Sequence, residues 1–160
     1  MKRYWYKFRV KYGKALDTGK NKKVSEEYLV DAESFTETEK RATKAATELI
    51  GTRDFDITAI SREPITEILK EDENEGNHWY KTVVSLVTED EDTGVKKFSP
   101  QTIYVNAPST KEADRMLRQH MSSSVTEWEI KSIAETKVLG VLARRRERYF
   151  AINCGSIPEG

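Results

Sequence analysis

The feature that most constrains the fold of this chain is an internal repeat with a period of about 75 residues. Trp5-Tyr6-Lys7 recurs as Trp79-Tyr80-Lys81, and Asp17-Thr18-Gly19 recurs as Asp92-Thr93-Gly94. Further segments recur in the same order, namely residues 28–32 as 103–107 and residues 55–60 as 128–133. Since the matches keep one order at a nearly constant offset, the chain is predicted to contain two copies of one folding unit.

Each copy has the pattern of two strands, a helix and two further strands. The first two strands are predicted at 4–12 and 23–31, and at 79–88 and 98–106, with a long polar loop between them in each copy. The helices follow the capping boxes Ser34-x-x-Glu37 and Ser109-x-x-Glu112. Strands three and four are predicted at 55–61 and 64–70, and at 127–134 and 136–143. We therefore predict an α+β protein with tandem pseudo-symmetric ββαββ repeats, in which each antiparallel sheet carries one helix.

This reading divides the chain into four parts. The first repeat spans 1–70, an acidic linker spans 71–78, the second repeat spans 79–143 and a basic C-terminal extension spans 144–160. No run of about 18 apolar residues exists, so no transmembrane helix is expected. A basic N-terminus without an apolar stretch does not resemble a secretory signal. The single cysteine, Cys154, cannot form an internal disulfide, which favours a cytoplasmic location.

No residue pattern points to catalysis, to a metal or to a cofactor. The two histidines, His78 and His120, have no ligand partners at metal-binding spacing, and no glycine-rich phosphate loop is present. The acidic runs at 71–73 and 89–92 are typical of solvated loops more than of cation sites. We predict that the protein is not an enzyme and holds neither a metal nor a cofactor.

The charge distribution points to an anionic partner. The net charge of the chain is zero, but residues 1–23 contain nine Lys/Arg and one acid. Because side chains of a strand alternate between faces, Trp5 shares one face with four cations of the first strand. Cations that hold phosphates, with an aromatic ring on which bases stack, are the features that bind single-stranded nucleic acid. The predicted binding residues are Arg3, Trp5, Lys7, Arg9, Lys11, Lys20, Lys22, Lys23, Arg144, Arg145 and Arg146, with Lys14 in the adjoining loop.

Two other interpretations of these cations remain open. Lysines and arginines on an edge strand also prevent sheets from pairing edge to edge. Trp79 repeats Trp5, so the indole can equally belong to a shared core. In the second copy, Val83, Ser85 and Val87 replace the cations, so the fold does not need them. The alternative function is a protein–protein interaction module that uses its sheet faces, and a homo-oligomer is expected in either case.

The segments 5–10, 28–37 and 133–136 carry a resemblance to a known group of proteins, most clearly in Val30-Asp31-Ala32-x-Ser34-Phe35-Thr36-Glu37. They resemble an uncharacterised family from Bacteroidales bacteria and crAss-like phages, whose members have a similar length. The resemblance implies a phage or mobile-element replication accessory that binds single-stranded DNA. It transfers no functional residues to this chain. The tandem units also resemble Whirly and PUR-type single-stranded nucleic-acid binders, although those place the helix after all four strands.

Overall fold

A computed structural model describes residues 3–51, 54–71, 77–145 and 148–152, with side chains described as far as residue 142. The strands are β1 (Tyr4–Ala15), β2 (Asn21–Ala32), β3 (Phe55–Glu63), β4 (Ile65–Leu69), β5 (His78–Glu89), β6 (Lys96–Ala107), β7 (Glu127–Glu135), β8 (Val138–Arg145) and β9 (Arg148–Ile152). The helices are α1 (Phe35–Ile50) and α2 (Thr110–Met121). Two compact units result: unit 1 contains residues 1–64 and 137–160, and unit 2 contains residues 65–136.

Each unit is built on a long antiparallel hairpin. β1 pairs with β2 from Tyr4↔Ala32 to Ala15↔Asn21, and β5 pairs with β6 from His78↔Ala107 to Glu89↔Lys96. The long loops predicted at 13–22 and 89–97 are therefore wrong in extent, because the strand ladder continues to residues 15 and 21 in unit 1. Only residues 16–20 form the turn, and Gly19 takes a φ of 82° there, which glycine adopts without a Cβ penalty.

The helices begin at the predicted caps. Ser34 Oγ accepts from Glu37 N–H at 3.1 Å, and Ser109 Oγ accepts from Glu112 N–H at 3.2 Å. These bonds satisfy amide groups that have no partner within the helix. At the other end of α1, Gly51 takes a φ of 81° and its N–H donates to the Thr47 carbonyl, which ends the helix.

The helix of each unit covers one face of the sheet. In unit 1, small α1 residues such as Ala42 and Ala45 pack on Tyr6, Phe8 and Val10 of β1, and all five side chains are buried. In unit 2, α2 supplies larger side chains, including Met116 and Leu117, and these pack on β5 and β6. The period of two in the strands and the helical spacing of the helix residues account for the position of both cores.

The fourth strand of each repeat pairs in the sheet that contains the first three strands of the other repeat. The strand orders are β3-β1-β2-β8-β9 in unit 1 and β4-β6-β5-β7 in unit 2. β8 pairs parallel with β2, and β4 pairs parallel with β6. Only Pro64 separates β3 from β4, and one residue is too short for a hairpin turn, so the chain continues out of the first sheet.

The predicted α+β fold with two repeats and mostly antiparallel sheets is confirmed, and the parallel pair in each sheet was not foreseen. Because of the exchange, the compact units do not coincide with the repeats drawn at 1–70 and 79–143. Those repeats follow the sequence similarity, whereas the units follow strand pairing.

Candidate nucleic-acid interface

The cations at the beginning of β1 are matched by carboxylates. Lys7 Nζ lies 3.5 Å from Glu63 Oε1 and 3.8 Å from Glu27 Oε1. Arg9 donates to the same Glu27 oxygen at 3.5 Å, and the Glu27 side chain is only 11% exposed. Since β2 and β3 flank β1, each contributes one acid to this cluster. These two cations are therefore largely neutralised by their own sheet.

Arg3 also has carboxylate partners. Its Nε donates to Asp31 Oδ2 at 2.8 Å, and its guanidinium lies 3.7 Å from a Glu37 oxygen and 4.0 Å from one of Glu33. The hydrogen bond to Asp31 and the charges of these acids raise the pKa of Arg3. A phosphate that bound Arg3 would separate its guanidinium from three carboxylates. Arg3 is therefore a poor phosphate ligand.

Trp5 lies between acidic neighbours. It is half-buried, and its Cα partners are Asp31 on β2 and Glu63 on β3. A base stacked on this indole would bring its phosphate close to both carboxylates. The predicted grouping of Trp5 with cations is present on this face, but the acids of the flanking strands offset the positive charge.

The remaining cations of unit 1 lie on a projecting ribbon, residues 13–23, which we name the basic arm. β3 pairs with β1 only as far as Tyr12, and β8 meets β2 only from Glu27 onward. Residues 13–23 therefore pair only with each other, and every one of them is exposed. The turn is closed by the Leu16 N–H, which donates to the Lys20 carbonyl at 2.8 Å.

The lysines of the basic arm have no acidic counterpart. Four lysines and Asp17 give the arm a net charge of +3. None of the ion pairs in the described part of the chain includes Lys14, Lys20, Lys22 or Lys23. Lys14 is directly opposite Lys22 in the ladder, and like charges in that arrangement destabilise a hairpin. The arm thus carries a positive charge that its own fold does not balance.

The base of the arm is formed by Tyr12 and Lys11. Burial raises the pKa of Tyr12 to about 12, and a hydrogen bond to Glu26 and the charge of Glu26 add to the rise. The phenol is thus neutral and held against β2 at ordinary pH. Lys11 is exposed on the opposite face of β1, so it extends the positive charge of the arm toward the sheet.

Unit 2 has a matching ribbon with the opposite charge, residues 88–97, which we name the acidic arm. It too is fully exposed and extends beyond the neighbouring strands, since β7 pairs with β5 only as far as Val87. Its net charge is −2. Counted from the equivalent pairs at Trp5 and Trp79, the ladder places Thr88↔Lys97 at the position of Lys14↔Lys22. The fold therefore does not require two lysines at this position, and the next pair toward the turn of unit 2, Glu89↔Lys96, has opposite charges.

The turn of the acidic arm is ordered by its own side chains. Asp90 Oδ1 accepts from the Asp92 N–H at 2.8 Å and from the Thr93 N–H at 3.0 Å. The bond from Thr93, followed by that from Asp92, lowers the pKa of Asp90. These contacts account for the acidic run as turn chemistry. No cluster of His, Cys, Asp and Glu that could hold a metal ion is found in the described part of the chain.

The predicted arginine cluster lies where the structure describes no side chains. Arg144 and Arg145 lie at the end of β8, where the description is limited to the backbone, and Arg146 lies outside the described residues. Of the predicted residues, Lys20, Lys22 and Lys23 share the basic arm, with Lys11 at its base. Lys14, predicted only as a member of the adjoining loop, belongs to the same arm, and its pairing with Lys22 follows from a hairpin register centred on residues 17–19.

Two other places in the structure bring charged side chains together. A groove of about 930 Å³ runs between α1 and β3, but its lining alternates cations such as Lys40 and Lys44 with Glu39 and Glu48. His120, in the last turn of α2, contacts the Glu67 carboxylate of β4 through Nε2. Neither of the two helices in the described ranges is long and apolar enough to cross a membrane.

Comparison with known proteins places the chain in a family without assigning it an activity. No curated protein and no solved structure matches the chain. A family described as a domain of unknown function, DUF4494, matches residues 4–144, which include both repeats and both arms. The chain therefore belongs to the DUF4494 family.

Proposed function

We propose that the protein is a non-enzymatic nucleic-acid-binding protein that contacts phosphates through the basic arm. The observation that carries the proposal is the cross-strand pair Lys14↔Lys22 in a fully exposed ribbon. Two lysines facing each other cost the hairpin stability, and a bound polyanion would reverse that cost. The acidic arm supports this reading, because the equivalent pair there, Thr88↔Lys97, has only one lysine.

The proposal moves the binding surface away from the beginning of β1. Arg3, Lys7 and Arg9 have carboxylate partners at 2.8–3.5 Å, whereas the arm lysines have none among the described residues. Phosphate binding by the arm releases counterions without breaking any ion pair. Four phosphate contacts would give a slope of log K against log salt of about −3.6 for a DNA duplex, or about −2.8 for a single strand.

The narrower predictions from the sequence stay predictions. They are a preference for single-stranded DNA, a role in phage or mobile-element replication, a cytoplasmic location and a homo-oligomeric state.

The experiment that tests the proposal is fluorescence anisotropy with a labelled DNA of about 30 nucleotides. The test variant is Lys14→Glu/Lys22→Glu. The matched control is Lys96→Glu/Lys97→Glu, which makes the same charge change on the acidic arm. We expect the affinity of the test variant for DNA to fall at least about tenfold at about 50 mM salt. The slope of log K against log salt should become shallower by the contribution of about two phosphate contacts. The control should lose less than about threefold. Equal losses in both variants would mean that only the net charge matters, and would refute the proposed site.

A second candidate function is protein binding at the acidic arm. Val95 and Phe98, at the turn and the base of this arm, are 59% and 56% exposed. A protein partner with a basic, apolar surface would suit them. In that case Phe98→Ser would abolish capture of the partner, while Lys14→Glu/Lys22→Glu would leave it unchanged. The nucleic-acid proposal predicts the reverse pattern for DNA binding.

A further inference from the structure

We infer that the ligand of the basic arm is a B-form DNA duplex, with the ribbon lying in the major groove. The inference rests on the proposed function and specifies the class of nucleic acid. It departs from the single-stranded ligand that the sequence predicted, and three properties of the arm carry it: its side-chain types, the distribution of its charge and its length.

The first property is the absence of stacking side chains. Residues 13–23 contain no aromatic residue. Proteins that hold single strands combine a cationic track with rings on which successive bases stack. Tyr12, at the base of the arm, is hydrogen-bonded to Glu26, and Trp5, the ring predicted to stack on bases, lies between Asp31 and Glu63 at the other end of β1. An arm of this composition can contact phosphates and base edges but offers nothing on which bases could stack.

The second property is that the lysines lie on both faces of the ribbon. Lys14 and Lys22 are opposite each other and share one face. Lys23, one residue further along, and Lys11, three residues before Lys14, lie on the other face. A ribbon in a groove has a phosphate backbone on each side, so cations on both faces can each reach a backbone. A single strand tracking along the ribbon would use the cations of one face only.

The third property is the length of the ribbon. From Tyr12, where the sheet ends, to Leu16 at the turn, four residues of extended chain span roughly 14 Å. The major groove of B-DNA is about 12 Å wide and about 8.5 Å deep, and it admits a two-stranded ribbon. The arm can therefore reach the floor of the groove before the sheet meets the backbone. Thr18 and Asn21, both exposed near the turn, would face the base edges there.

The experiment compares four labelled ligands of one sequence: a DNA duplex of about 20 base pairs, each of its single strands, and the corresponding RNA duplex. The RNA duplex carries the same number of phosphates, but its deep, narrow major groove excludes protein side chains. We expect the DNA duplex to bind at least about tenfold more tightly than the single strands or the RNA. Lys14→Gln/Lys22→Gln, which removes charge without adding acids, should reduce duplex binding and bring the ligands closer together. Circular dichroism would establish that this variant is folded.

Each outcome separates the inference from the proposed function. Equal affinity for the DNA duplex and the RNA duplex would overturn groove insertion while leaving phosphate binding by the arm intact. Tighter binding of a single strand would also overturn it and would support the ligand that the sequence predicted. Binding of all four ligands that is insensitive to the Lys14→Gln/Lys22→Gln change, or no binding at all, would refute the proposed function itself.

Discussion

Replacing Lys14 by glutamate should stabilise the basic arm and weaken nucleic-acid binding at the same time. In the ladder Lys14 is opposite Lys22, so the substitution converts a like-charge pair into the opposite-charge arrangement that Glu89 and Lys96 have in unit 2. Cross-strand neighbours have Cβ atoms about 5 Å apart. Two unit charges at that distance in water interact by about 0.8 kcal/mol, and salt at about 0.15 M reduces this to about 0.4 kcal/mol.

Turning that repulsion into attraction changes the free energy of the arm by about 0.8 kcal/mol, which is about fourfold in an opening equilibrium. Because the arm lies outside the core, its opening need not coincide with global unfolding, and native-state hydrogen exchange is the suitable assay. We expect the amides of residues 13–23 to exchange about fourfold more slowly in Lys14→Glu than in the unmodified protein.

The acidic arm provides the reverse experiment. Glu89→Lys creates a lysine pair with Lys96, so the amides of residues 88–97 should exchange about fourfold faster. Both effects should shrink in about 1 M salt, where the screening length falls to about 3 Å. The reasoning is refuted if Lys14→Glu leaves exchange unchanged at low salt, because the lysine pair would then carry no energetic cost.

Three further predictions concern the sheet and the helices. Glu27→Gln removes the carboxylate shared by Lys7 and Arg9 and should lower the free energy of unfolding by about 1–2 kcal/mol in a urea titration. Ser34→Ala should cost about 1 kcal/mol in the same assay, because the Glu37 N–H loses its acceptor. The pKa of Tyr12 is raised from 10.0 to about 12, so its stabilising contribution is present below pH 10 and is lost as the pH rises toward 12. Tyr12→Phe should remove that part of the pH dependence, as measured by urea unfolding between pH 9 and pH 12.

The parts of the fold that depend on local chemistry could be predicted from the sequence. The capping serines Ser34 and Ser109 begin both helices as predicted, and the alternation along β1 accounts for the burial of Tyr6 and Phe8. These features depend on residues a few positions apart, so a periodic pattern is sufficient to reveal them.

The partners of the strand-one cations could not be predicted in the same way. Lys7 meets Glu27 because β2 is its hairpin partner, but it meets Glu63 only because β3 returns to the other edge of β1. That register depends on tertiary packing. The strand exchange at Pro64 is also invisible to periodicity, since a strand pattern is the same in whichever sheet the strand pairs.

The comparison of the two units indicates where function resides in this fold. Positions on which both copies agree, such as Trp5 and Trp79 or the two capping serines, serve the structure that the copies share. The arms lie beyond that structure, since all of their side chains are exposed, and so their charge is free to diverge. One arm has acquired a net charge of +3 and the other −2. A charge difference that the core does not require, placed on the exposed arms of the two units, supports the proposal that the arms bind partners of opposite charge, with nucleic acid at the basic arm.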